Sequence, residues 1–241
     1  MGKEITHKND HAAVHDHSHD HSHSDSLVYE LMCHLPYAVF SVAFCLMVLS
    51  MISFFVRDAT DVSTLKKGYK MLFHSFHFMH IVFAATGTLI TYFRFSRNII
   101  LGLITGMITT ITFCTLSDSV LPYLGARALG VDMHWHMCFF TELPNVLPFL
   151  FIGLLNGFVM SRHHSSRQSL YSTSSHFIHI LISALASSFY LVAHGFYTWY
   201  NQIGFVFLFL VFAVVVPCTL ADVVVPMYFA RRKQINNNAK H

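Results

Sequence analysis

The stretch His77-Phe78-Met79-His80-Ile81-Val82 returns later in the chain as His176-Phe177-Ile178-His179-Ile180-Leu181. Each time it opens a long apolar run with two imidazoles at i, i+3, a spacing that puts both rings on one helix face. Two further strings recur in the same order. Glu30-Leu31 with Leu35-Pro36-Tyr37 is matched by Glu142-Leu143 with Leu147-Pro148-Phe149. Thr115-Leu116-Ser117-Asp118 with Val120 and Pro122 is matched by Thr219-Leu220-Ala221-Asp222 with Val224 and Pro226. The chain therefore reads as a duplication, each copy holding one Glu, one His-x-x-His and one Asp in apolar surroundings.

Of the 241 residues 54% are hydrophobic and only 11% charged, with a mean hydropathy of +0.51. A soluble domain carries roughly 25% charged residues, so this composition defines a polytopic membrane protein whose first partner is the lipid bilayer. The net charge of +3 is small, and the basic residues fall between apolar segments rather than along a stripe, which excludes nucleic acid as a partner. Cys33, Cys45, Cys114, Cys138 and Cys218 form no C-x-x-C pair and read as core thiols, not as a disulfide framework or zinc ribbon. The 24 phenylalanines read as lipid-facing or packing groups.

Residues 1–26 read as a disordered, polar, cytoplasmic tail in which His15, His17, His19, His21 and His23 alternate with Asp and Ser. Such a tail offers many imidazoles to one borderline cation and is read as a metal-capture segment, the bland alternative being a tag or a merely solvated tail. It is similar to the His-rich tails of zinc transporters of the cation-diffusion type. Their H-x-x-x-D pairs have no counterpart in the apolar segments here, so no family follows. No cleavable signal peptide is read, and the first apolar helix is expected to serve as the insertion signal.

Six transmembrane helices are expected, over 27–56, 69–93, 98–121, 137–160, 174–197 and 203–228, each long enough for a hydrocarbon core of about 30 Å. They divide into a first three-helix repeat over 27–125 and a second over 126–230, followed by a basic C-terminal tail, 231–241. The segment 57–70 is read as a charged connection. Of the 15 Lys and Arg, Arg57, Lys66, Lys67, Lys70 and Arg127 fall on one side and the remaining ten on the other, which places both termini in the cytoplasm. Three helices per copy is an odd number, so the copies enter the membrane from opposite sides and form an inverted repeat around a central site. Gly102 and Gly106, four apart, read as a helix-packing face.

On this topology the polar groups fall into two expected metal clusters: Glu142, His77, His80 and Asp118 in the outer half, and Glu30, His176, His179 and Asp222 in the inner half. His34, i+4 from Glu30, is a further candidate ligand. Imidazole with carboxylate suits divalent transition metals, zinc first, then iron, manganese, nickel or copper. Ionisable groups at membrane depth cost several kcal/mol unless paired or bound, so this many imply use. A bound cation expels protons from His, which makes protons the expected coupling ion. The structural alternatives are helix-to-helix hydrogen bonding for His74 and His194, helix capping for Asp118 and Asp222, and an interfacial place for Glu30. His134 and His136, i, i+2, read as loop or entrance residues.

The leading function is therefore an integral membrane transporter of a divalent transition metal by alternating access, not an enzyme, with a homodimer allowed. The alternative is a membrane-embedded metalloenzyme or a haem or metal redox subunit. Paired His joined by carboxylates fit haem poorly, because axial ligation wants one His from each side and little negative charge.

Overall fold

The computed structural model describes residues 27–56, 61–162 and 168–238, with side chains over 31–56, 61, 63–162 and 176–232. The His-rich tail, the Glu30 side chain and residues 57–60, 163–167 and 239–241 lie outside the described residues. Every regular element among the described residues is helical: α1 (Leu27–Val56), α2 (Val62–Phe95), α3 (Ile99–Thr115), α4 (Leu121–Ala128), α5 (Cys138–Thr141), α6 (Leu143–Arg162), α7 (Gln168–Ala193), α8 (Ile203–Thr219) and α9 (Val225–Asn238). A π-helical turn, Leu116–Val120, joins α3 to α4, and a second, Leu220–Val224, joins α8 to α9. These elements make six helices long and apolar enough to cross a membrane. A helix satisfies its own backbone polar groups, which is what an apolar solvent demands.

Several boundaries differ from those read in the sequence, each for a local reason. The helix α2 begins at Val62, so Lys66, Lys67 and Lys70 lie exposed on its first turns rather than in a connection. Leu65, Tyr69 and Phe73 recur at helical spacing and pack on the core, which carries the helix past the lysines. The expected fourth helix is divided at Glu142, where Pro144 favours a new helix start over continuation from α5. The end of α7 at Ala193 precedes Gly195, whose φ of 121° is left-handed backbone that suits glycine.

The third and sixth spans do not stop at Pro122 and Pro226. In each π-helical turn a backbone N–H reaches back five residues, Leu121 to Leu116 and Val225 to Leu220. The widened turn accommodates the following proline, which has no N–H to give to the Asp four residues before it. Asp118 and Asp222 thus sit inside continuous spans, buried, and not at helix caps.

The centre of the molecule is the pair α2 and α7, whose apolar windows are 61% and 67% buried against 22–33% for the spans containing α1, α3 and α6. They run antiparallel: Tyr69 meets Phe189 at 6.2 Å, Phe73 meets Tyr190 at 5.2 Å and His80 meets His179 at 4.6 Å between ring centroids. Packing is reciprocal between the copies, with α1 on α7 and α6 on α2. Thr88 Oγ1 donates to Ala221 O at 3.0 Å, and at the matching positions Ser187 Oγ donates to Ser117 O at 3.0 Å.

Close approach of α6 to α2 depends on two small residues. A Cβ at Gly153 would meet Val82 O at 2.8 Å, and one at Gly157 would meet Thr86 Cα at 3.0 Å. Thr86 Oγ1 donates to Gly153 O at 3.1 Å and Asn156 Nδ2 to Thr86 Oγ1 at 3.2 Å, so the small-residue face also carries interhelical hydrogen bonds. The outer surface is apolar, with Phe54, Ile100, Phe151 and Leu208 exposed. Cys33 is exposed there too, unlike the core thiol read from sequence, while the other four cysteines are buried.

Candidate metal centre

The helix α2 carries His77 and His80 on its inner face, and the π-helical turn after α3 aims Asp118 at both. His77 Nδ1 lies 2.8 Å and His80 Nδ1 2.7 Å from Asp118 Oδ2. The second copy repeats this, with His176 Nδ1 at 3.1 Å and His179 Nδ1 at 2.5 Å from Asp222 Oδ2. A carboxylate accepts, so the Nδ1–H of each ring donates and each Nε2 is left to other use. This is the carboxylate–histidine arrangement that orients an imidazole toward a metal.

The sequence places these sets in opposite halves of the membrane; the structure brings them into contact. His80 Nε2 and His179 Nε2 are 2.7 Å apart at the crossing of α2 and α7, each ring 1% exposed. With both Nδ1–H groups turned to carboxylates, both Nε2 atoms hold lone pairs, and so close an approach requires a proton between them. One hydrogen-bonded chain results, running His176, Asp222, His179, His80, Asp118, His77.

Two thiols flank the pair. His80, His179 and Cys218 are all buried and present ligand atoms within 4.8 Å of one another, with Cys218 Sγ 3.8 Å from His80 Nε2. Cys114 lies beside His80 in the other copy. Sequence reasoning missed both cysteines, although extending the repeated Thr-Leu-x-Asp by one residue gives Cys114 and Cys218 at matching positions.

The remaining candidates are placed as follows. His34 is buried and sets its ring edge-on to His176, 5.4 Å between centroids, at one end of the chain. Glu142 lies away from Asp118; it accepts from Asn145 Nδ2 at 2.8 Å and shares an open pocket of about 470 Å³ with Lys67, Lys70 and His74. His136 stacks on His194 at 5.3 Å near the same place, and His134 is exposed. Burial lowers His136, and lowers His194 to about 4, so both are neutral imidazoles at pH 7; burial pushes the Cys138 thiol up to about 12. At the far end of the central chain Phe73 stacks on His77 at 5.5 Å and separates it from His194 and His136.

An all-helical chain with six helices long and apolar enough to span a membrane, closed around buried His, Asp and Cys, is the class that these features define. No protein-family model, curated protein or solved structure matches the chain.

Proposed function

We propose that the chain is an integral membrane transporter of a divalent transition metal, and that the ion passes through the His80, His179 and Cys218 centre in exchange for the proton the two imidazoles share. The observation that carries this reading is the 2.7 Å contact between His80 Nε2 and His179 Nε2, each ring backed by the Asp of its own copy. Tetrahedral ligands at about 2.1 Å from a zinc-like ion stand roughly 3.4 Å apart, so binding has to spread the pair and expel the proton. Metal and proton therefore occupy the centre in turn. Thiol beside imidazole favours zinc or copper over manganese.

Support for an inverted arrangement of the copies comes from the antiparallel crossing of α2 and α7 at matching histidines and from the reciprocal Thr88 and Ser187 hydrogen bonds. A pseudo-two-fold between His80 and His179 puts the centre where alternating access needs it. Both termini lie on the cytoplasmic side in this reading, where the His-rich tail gathers the ion.

The test is zinc-dependent uptake, with internal pH followed, in proteoliposomes of the intact protein, a form lacking residues 1–26, His80→Ala and Cys218→Ser. Uptake falls at least about tenfold in both site variants and is only slowed by loss of the tail. Zinc affinity weakens on acidification by about tenfold per pH unit for each proton displaced, the one shared by the imidazoles and the one on the Cys218 thiol. Tight binding without movement would point instead to a fixed metal centre, the metalloenzyme or redox reading.

A further inference from the structure

A second set of ligand-bearing side chains meets at the N-terminal end of α2. His74 on α2, His136 on the connection before α5, and Cys138 at the start of α5 bring their ligand atoms within 4.8 Å of one another. Two segments converge here: α2, which carries His77 and His80 further along, and the stretch from His136 to Cys138 that leads into α5. The buried His74 Nε2 has no hydrogen-bond partner, and a ligand there would satisfy it. His136 is held in place: its ring stacks on His194 at 5.3 Å, and its backbone N–H donates to Tyr190 Oη at 3.4 Å. His194 is fixed in turn by donating Nδ1–H to Tyr190 O at 2.9 Å.

We propose that His74, His136 and Cys138 form a second metal site, for a zinc-class divalent ion, with Glu142 or water completing the tetrahedron. Two imidazoles and a thiolate, the Cys138 thiol giving up its proton to solvent as the ion binds, with one open position are a donor set zinc accepts. The ligand atoms need to close by about 1 Å to reach tetrahedral spacing, which side-chain rotation supplies. Glu142 opposes the positive charge of Lys67 and Lys70 on the rim of the pocket it shares with His74. The pocket is open, so an ion reaches His74 from solvent, whereas the central imidazoles are closed off. Phe73 touches His74 at 5.1 Å on one side and His77 at 5.5 Å on the other, so one aromatic ring stands between the second site and the central chain. As a station on the route the site rests on the transport reading; as a binding site it does not.

Cobalt(II), titrated into the purified full-length protein in detergent, tests the site through its thiolate charge-transfer absorption. Imidazoles alone, including those of the tail, give no such band. With Cys114 and Cys218 both changed to Ser, a thiolate band remains; adding Cys138→Ser removes it, and His136→Gln weakens cobalt binding by about tenfold or more. Elution profile and helical circular dichroism check that each variant is folded. Where the double variant is not folded, the wild-type spectrum is compared with that of Cys138→Ser alone, which loses part of its thiolate band. An absent band in the folded double variant, or a band unchanged by Cys138→Ser, overturns the second site. The transport reading fails by a different result, zinc uptake unaffected by His80→Ala or Cys218→Ser.

Discussion

Asp118 and Asp222 occupy matching positions but are not equally satisfied. Asp118 Oδ1 accepts from Ser117 Oγ at 2.7 Å and Ser183 Oγ at 3.2 Å, whereas the buried Asp222 Oδ1 has no partner. The reason is in the side chains: Ala221 and Ala84 stand where the other copy has Ser117 and Ser183. The second half of the centre is therefore the one with an open carboxylate oxygen, and the first half is the anchored one. Ser183→Ala should lower stability by about 1 kcal/mol, read as a lower thermal midpoint in detergent, because Asp118 keeps only one donor on Oδ1. Asp222→Asn should weaken zinc binding about 10–100-fold by calorimetry, since a neutral amide lacks the charge with which the carboxylate orients His176 and His179 and raises their basicity as ligands. The repeated His and Asp were legible at this scale because a string that recurs in order stands out. The missing hydroxyls were not, since Ser and Ala are equally ordinary in an apolar helix.

At the scale of elements the π-helical turns set the direction of both carboxylates. One extra residue in a turn rotates everything beyond it by about 100°, and Pro122 and Pro226 favour that extra residue. Pro226→Ala should allow an ordinary α-helical turn and swing Asp222 off His176 and His179. The expected result is unchanged helical content by circular dichroism with zinc affinity reduced about tenfold or more. Gly153→Val places side-chain atoms against the Val82 carbonyl, where even a Cβ would sit at 2.8 Å. It should destabilise by about 1–3 kcal/mol, visible as a loss of folded protein on heating. Helix number and approximate position followed from apolar length. The extension of α2 over its lysines did not, because a charged surface turn hides an inward stripe of Leu65, Tyr69 and Phe73. Nor did the small-residue face at Gly153 and Gly157, which acquires meaning only once α2 lies against it.

For the molecule as a whole, six helices are long and apolar enough to cross a membrane, and the proposed topology has all six crossing with both ends on one side. Protease-cleavable tags at both termini should be cut together, in inverted vesicles and not in intact cells, if that side is the cytoplasm. Cutting of one tag alone would mean an odd number of crossings. The antiparallel seating of α2 against α7 also explains why the histidines on their facing sides are affordable in an apolar interior. Each imidazole has a carboxylate from its own copy, and a proton shared by the facing Nε2 atoms sets one positive charge between the two carboxylates, so the buried charges are paired.

By itself the sequence determined the helical class, the recurrence of the His-x-x-His and Asp strings, and the pairing of His with Asp, because composition, apolar length and a repeated string are properties of the chain read in one dimension. Only the tertiary structure decided that the two sets form one centre, that Cys114 and Cys218 flank it, and that Glu142 belongs to a separate pocket with His74. Those facts depend on which helix face meets which neighbour and at what crossing point. That choice is made by packing between distant segments and leaves no trace in local spacing.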